Sequence, residues 1–322
     1  MPSRRSWATI GAVAAAGGVA AGVWAFVEPH RFTTRRVAVP VLSAGSTPRR
    51  ILHLSDMHMS TDHLRMRRWI ARLAHLEPDL VVVSGDFLAG PHAVAPVLDA
   101  LKPLLDRPGV FVLGSNDYFA PKFLNPARYL RGPTSMEARG DFLPWPDLVE
   151  GLTKAGWADL SNKQALVELP GWTVAARGVD DPHILRDRYD LVAGPFPDGV
   201  DVRLGVTHAP YRRVLDEMVV DGADLILAGH THGGQLRVPW LGPIVTNCDV
   251  GRKRARGLSD YSAVDGSGQH AWLHVSAGIG QSPYAPIRFN CPPEATLLTL
   301  TCCLMSRCPP TCLRCLAWEC PL

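Results

Sequence analysis

The run Leu80-Val81-Val82-Val83, followed by Ser84-Gly85-Asp86, decides the fold class. Four apolar residues, three of them β-branched, suit a strand buried on both faces, and the Ser-Gly-Asp after them is turn chemistry. Upstream, Ile51-Leu52-His53-Leu54 is a second short apolar run, ending in Ser55-Asp56-Met57-His58. Between the two, Met66, Trp69, Ile70, Leu73 and Leu76 recur at three- and four-residue steps. That spacing predicts a helix over about 62–76, stopped by Pro78. Downstream, a helical stretch over about 93–105 leads to Val110-Phe111-Val112-Leu113 and then Gly114-Ser115-Asn116-Asp117-Tyr118. The order is β-α-β-α-β with right-handed crossovers, and each strand ends in polar residues where open α/β sheets carry their sites.

Strand and helix signals resume in the second half. Val202-Arg203-Leu204-Gly205-Val206 ends in Thr207-His208-Ala209-Pro210, and a helix over 212–220 leads to Asp224-Leu225-Ile226-Leu227-Ala228. That run gives way to Gly229-His230-Thr231-His232-Gly233-Gly234-Gln235, where flanking glycines let the backbone turn sharply and approach a ligand. From there to Leu300 short strands alternate with turns, which predicts a second sheet packed on the first. The proline-rich middle, 120–201, is less regular, with a helix over 148–155 and short strands over 165–169 and 172–176. It is expected to supply loops that cover the cleft and choose the substrate. No internal repeat is visible.

The chain has 322 residues, enough for one large α/β domain or two small ones. A hydrophobic fraction of 47% with 20% charged residues is ordinary for a globular protein, and a net charge of +3 does not argue for nucleic acid. The dense basic run Arg252-Lys253-Arg254 with Arg256 lacks interleaved aromatics and reads as a solvated loop. Six of eight cysteines (Cys302, Cys303, Cys308, Cys312, Cys315, Cys320) crowd into the last 21 residues, unlike a disulfide framework spread through a fold. Cys312 and Cys315 form a CxxC that Cys308 and Cys320 would complete as a zinc set, but a disordered extension carrying no function is the reading adopted.

At the other end, Arg4-Arg5 precede an uncharged Ala-, Val- and Gly-rich stretch, residues 6–27. Three readings stand: a retained single-span membrane anchor, a cleaved export signal, and an Ala-rich soluble helix. The anchor is favoured, and the soluble helix is the least favoured because no polar face repeats. Arg4 and Arg5 would place the remainder outside the cytoplasm, although Arg31, Arg35 and Arg36 on the other flank blunt that rule.

A single Asp or Asn after a strand is merely a cap. Three successive strands ending in Asp56 and His58, Asp86, and Asn116, joined by His208, His230 and His232, make a constellation. Carboxylates, one amide and imidazoles suit Mn, Fe or Zn better than Ca or Mg. Seven ligands are too many for one ion and about right for two, provided one carboxylate bridges.

In order and spacing these segments resemble the calcineurin-like metallophosphoesterases over roughly residues 50–300: Asp56-Met57-His58 for DxH, Gly85-Asp86 for GD, Gly114-Ser115-Asn116-Asp117 for GNHD, and Thr207-His208 and Gly229-His230-Thr231-His232 for the later histidine motifs. The N-terminal stretch, Gly233-Gly234-Gln235 and Ile287-Arg288-Phe289-Asn290-Cys291 resemble the membrane-associated YkuE-like branch. The resemblance implies a two-sheet α/β sandwich flanked by helices. It also implies that Asp56, His58 and His232 hold one divalent cation, that His208 and His230 hold the other, and that Asp86 bridges. A hydroxide shared by the cations would then hydrolyse phosphate mono- or diesters by in-line displacement. The implied organisation is an anchor or export signal over 1–30, a linker over 31–48 (with an edge strand the alternative for 36–48), a metallophosphoesterase domain over 49–300 and a Cys-rich tail over 301–322.

One departure matters. Strictly aligned, Ser115 stands where the family's metal-binding asparagine does, and Asn116 where its histidine does. Asn116 is expected to reach the metal through a small backbone shift, with Ser115 the alternative. Neither is a general acid at neutral pH, and positioned acid catalysis is typically worth ~10²–10⁴ in rate. The expected substrates are therefore esters with good leaving groups, or the acid comes from elsewhere. Asp117 is expected to orient a neighbouring ligand, whereas His53, His63 and His92 read as structural or solvated. An anchored enzyme would meet lipid-linked or envelope phosphate esters. The rival from another class is a non-catalytic, metal-stabilised scaffold attached to a membrane. A nuclease would need a basic, aromatic-lined groove, so no nucleic-acid partner is expected.

Overall fold

The computed structural model describes residues 4–122, 140–265 and 268–302. In chain order, α1 (Arg4–Val27) precedes β1 (Thr33–Leu42), β2 (Arg49–Leu54), α2 (Leu64–Arg72), β3 (Leu80–Ser84), α3 (Val94–Leu101) and β4 (Gly109–Val112). The single turn α4 (Ser115–Tyr118), α5 (Trp145–Lys154), β5 (Ala158–Asp159), β6 (Lys163–Leu169), β7 (Trp172–Gly178), β8 (Val202–Val206), α6 (Arg212–Val220) and β9 (Leu225–Ala228) follow. Last come the hairpin β10 (Arg237–Val238) and β11 (Gly242–Pro243), then β12 (Gly257–Ser262), β13 (His270–Val275) and β14 (Glu294–Cys302).

One sheet has the order β1-β14-β2-β3-β4-β5 and the other β12-β13-β9-β8-β7-β6. β2 to β5 run parallel, as do β7, β8, β9 and β13, with antiparallel partners added at the flanks. Because side chains alternate along a strand, each central strand feeds two layers. Ile51, Leu80, Val82, Val110 and Val112 meet Val174, Val202, Leu204, Val206, Leu225 and Leu227 of the facing sheet. Leu52, Leu54, Val81, Val83 and Phe111 turn outward under Met66, Ile70, Val97, Leu101, Leu148 and Leu152 of α2, α3 and α5. Val214, Leu215, Met218 and Val219 of α6 cover the other outer face. The result is the expected two-sheet α/β sandwich flanked by helices.

Three sequence expectations shift. Both early helices close in a tighter 3-10 turn, over Leu73–Leu76 and Lys102–Leu104, the second where Pro103 has no N–H to continue the helical ladder. Of the linker and the edge strand expected before Pro48, residues 33–42 form the edge strand β1, paired in parallel with β14 from Thr33 opposite Glu294 onward. Pro40 is tolerated there because one side of an edge strand needs no ladder donor. The membrane span expected over residues 6–27 is not supported either. The segment is helical, but among the described residues no helix is long and apolar enough to cross a membrane. Ala and Gly stand where such a helix carries Leu, Ile and Phe. The Cys-rich tail beyond Cys302 lies outside the described residues.

Between the sheets, the buried His53 of β2 and His274 of β13 share a hydrogen bond of 2.9 Å between their Nδ1 atoms. Burial pushes both imidazoles down, His274 to about 4 and His53 well below its ordinary 6.5, where His274 adds to the effect. Between pH 6.5 and about 4 these two imidazoles therefore hold more protons in the unfolded chain than in the folded one. Stability is full above that window and falls on acidification by about 1.4 kcal/mol per pH unit for each group. Urea unfolding across this range is expected to show the slope, and His274→Leu to flatten it; an identical slope in the variant would refute the assignment.

Candidate metal centre

The carboxyl ends of parallel strands from both sheets converge on one edge of the sandwich. Asp56 and His58 follow β2, Asp86 follows β3, Asn116 lies in α4 just after β4, His208 follows β8, and His230 and His232 follow β9. Asp56, His58, Asp86, His230 and His232 all adopt left-handed backbone, with φ between 41° and 67°. Such conformations cost non-glycine residues about 1–3 kcal/mol each and persist where surrounding packing over-determines them. Close approach adds a second constraint. A Cβ on Gly229 would strike Ser55 Oγ and come 2.6 Å from Asp56 Oδ2, while one on Gly114 would strike Asp86 Oδ1.

Asp86 is the hub. Its Oδ2 lies 3.5 Å from His58 Nε2 and 3.4 Å from His208 Nε2, and its two oxygens accept from the backbone N–H and side-chain amide of Asn116, each at 2.8 Å. Asp56 accepts from Ser55 Oγ at 2.5 Å and from the His230 N–H at 3.1 Å, and its Oδ1 lies 3.5 Å from His232 Nε2. His58 and His232 stack with ring centres 5.0 Å apart and their Nε2 atoms 3.1 Å apart. Two donor sets thus come together within 4.8 Å: Asp56, His58 and His232, and Asp56, Asp86 and His208. His230 falls outside both, its ring 5.2 Å from that of His208 and its Nε2 3.2 Å from the Asn247 carbonyl. Ser115 Oγ touches the Asn116 amide at 3.4 Å, so Asn116 is the residue against Asp86.

These residues fit a pair of cations. His208 Nδ1 must donate to the Ser84 carbonyl, 2.7 Å away, which turns Nε2 toward Asp86 with no hydrogen-bond partner of its own. Burial pushes His58, His230 and His232 down, so their lone pairs stay available at neutral pH. Burial alone would raise Asp86, but the imidazoles of His208 and His58 hold it well below the carboxylate range. Burial likewise opposes a charged His208, yet Asp86 and Asp181 lift it well above its ordinary value. Asp117 supports the hub from behind, accepting from the backbone N–H groups of Gly114, Asp86, Phe87 and Leu88. Burial and the Asp86 charge push it up to about 8, against those four donors.

A family description, calcineurin-like phosphoesterase, matches residues 49–234, more than half of the chain. The chain belongs to the calcineurin-like phosphoesterases. This phosphoesterase is 28% identical to the phosphodiesterase YaeI of Escherichia coli over 93% of its own length and 100% of that protein's. It is 25% identical to the metallophosphoesterase YkuE of Bacillus subtilis, over 90% of this chain and 92% of the other. With the UDP-2,3-diacylglucosamine pyrophosphatase LpxG of Chlamydia trachomatis the identity is 26%, over 86% and 92%.

Sequence reasoning passed over several neighbours of the phosphoesterase centre. His183 stacks on His230 at 4.4 Å and bonds Tyr211 Oη at 3.0 Å. Burial pushes it down to about 4, and buried Asp181 up to about 7. Asp180-Asp181-Pro182-His183 follows β7, so the rule that flagged the other strand ends would have found it had β7 been traced two residues further. Ser55, joined through Ser84 to His53, had no such signal. Converting Asp117 to Asn puts an amide against four N–H donors, so Asp117→Asn is expected to cost about 1–3 kcal/mol. It should also weaken metal binding by about 10–100-fold. Urea unfolding and metal titration measure the two effects, and wild-type values in both would remove its supporting role.

Proposed function

We propose that this phosphoesterase hydrolyses phosphate mono- or diesters at a centre of two divalent cations, with a lipid-linked or envelope ester as substrate. One observation carries the reading: the Asp86 carboxylate oxygen lies about equally far from His58 Nε2 and His208 Nε2, one from each donor set. Asp56, His58 and His232 would hold one cation, and His208, His230 and Asn116 the other, with Asp86 common to both. Mn, Fe or Zn in these positions would supply Lewis acidity and lower the pKa of water, so nucleophilic attack needs no side-chain base.

The chain's own residues then have distinct tasks. Asp86 sets the spacing of the two positions, and the Ser84 carbonyl fixes the tautomer that points His208 Nε2 inward. Asp117 fixes the turn that carries Asp86. The relatives named for phosphodiester and diacylglucosamine pyrophosphate hydrolysis support a phosphoester with a lipid portion.

Purified protein reloaded separately with Mn, Fe and Zn is expected to hydrolyse aryl phosphate esters, and screening lipid phosphoesters beside them identifies the substrate class. Asp86→Asn should lower turnover by at least about 10²-fold, since even residues behind metal ligands are worth 10–100-fold. Wild-type turnover by that variant would exclude the reading, and bound metal without hydrolysis would favour a scaffold. Asn116 cannot protonate a leaving group. Rates across substituted phenyl phosphodiesters should therefore rise steeply as the leaving phenol becomes more acidic. A flat series would reveal an acid acting elsewhere in the site.

A further inference from the structure

Arg288 is fully buried, and every acceptor it bonds is uncharged. Its Nη1 donates to the carbonyls of Ala277 (2.9 Å) and Cys291 (3.1 Å), and its Nη2 to those of Gly278 (3.3 Å) and Gly280 (2.6 Å). Its Nε reaches Gln281 Oε1 at 3.4 Å, and Nη2 also lies 3.3 Å from His232 Nδ1. Burying a guanidinium is expensive, and an apolar residue of similar volume commonly serves stability as well or better. What the cation gains here is geometric, because a planar fork with fixed donor directions can bind several carbonyls of one loop at once.

That loop leads to the first donor set. The Ile279 N–H donates to the Ser55 carbonyl at 3.0 Å and the Gly280 N–H to the Asp56 carbonyl at 2.6 Å, so the clamped loop grips the backbone that presents Asp56. The segment carrying Arg288 is itself held from the far end of the chain. Arg288 N–H donates to the Ala25 carbonyl in the last turn of α1 at 2.9 Å. The buried Glu28 carboxylate accepts from the N–H groups of Asn290 (2.7 Å) and Cys291 (2.8 Å), and from Trp24 Nε1 at 3.0 Å. Cys291 Sγ in turn donates to the His232 carbonyl at 3.3 Å. A continuous set of contacts therefore runs from the end of α1, through Arg288 to Cys291, into both Asp56 and His232. No comparable contact runs from Arg288 to His208 or Asp86 among the described residues.

We infer that Arg288 and Glu28 are positioning residues for the cation held by Asp56, His58 and His232, which makes the end of the N-terminal helix a structural part of that half of the centre. The inference rests on the two-cation reading given above. Arg288→Lys keeps the charge but replaces the fork with one ammonium, which cannot reach the separated carbonyls together. Glu28→Gln keeps the size but turns an amide N–H₂ toward backbone donors, and it leaves the guanidinium and its carbonyl partners in place, so it tests the same contacts should Arg288→Lys fail to fold.

The full-length chain is titrated with Co²⁺, following its visible absorption, with metal stoichiometry and near-ultraviolet circular dichroism measured alongside. The wild type is expected to take up two ions. Each variant should keep its tertiary signal and one ion at wild-type affinity, while the other weakens by about 10–100-fold. Trp157 packs on Gly109 and donates to the Arg107 carbonyl, at the opposite end of β4 from Asn116, so Trp157→Ala should lower stability and keep both affinities. Two ions at wild-type affinity in Glu28→Gln would overturn the inference, as would equal weakening of both ions, the mark of general loosening. A wild-type chain that bound no metal would instead remove the underlying two-cation reading.

Discussion

A buried carboxylate held between imidazoles from two different sheets is the constraint around which this molecule is arranged. Asp86 and His208 approach within 3.4 Å only because the carboxyl ends of β3 and β8 meet at one edge of the sandwich. In that low-dielectric setting neither charge is tolerable alone, which is why each drives the other toward its ionised form against the effect of burial. Cations would replace the His208 proton as the partner of Asp86. The same neighbourhood keeps His58, His230 and His232 neutral, as ligands must be.

Holding that arrangement has a structural cost spread through the fold. Five of the seven expected ligands sit in left-handed backbone, a region that side-chain-bearing residues seldom occupy. The strain is local, whereas what resists it is extended: two sheets with apolar residues on both faces, covered by helices on each side. Between them runs a string of buried polar groups, His274, His53, Ser84, Ser55 and Asp56, each bonded to the next. The centre is therefore anchored in the middle of the sandwich as well as at its edge.

The departure at residues 115 and 116 acquires a clearer sense from the coordinates. Asn116 uses both its backbone N–H and its amide on Asp86, while Ser115 contacts Asn116 and not the hub. The turn α4 thus sets Asn116, rather than Ser115, against Asp86. Neither Ser115 nor Asn116 can deliver a proton to a leaving group at neutral pH.

Much of this was legible in the chain before any coordinates. The β-branched run 80–83, its neighbours at 51–54 and 110–113, and the polar residues behind each announce a parallel α/β sheet with a site at its edge, because alternation and turn chemistry are local properties. The motif residues Asp56, His58, Asp86, His208, His230 and His232 were visible for the same reason. What no local pattern carries is partnership at long range. That residues 33–42 complete a sheet with residues 294–302, that Glu28 holds amides at 290 and 291, and that a buried arginine near the end of the chain braces Asp56 are matters of chain closure. They depend on which surfaces meet when the two sheets pack, and only the tertiary structure decides that.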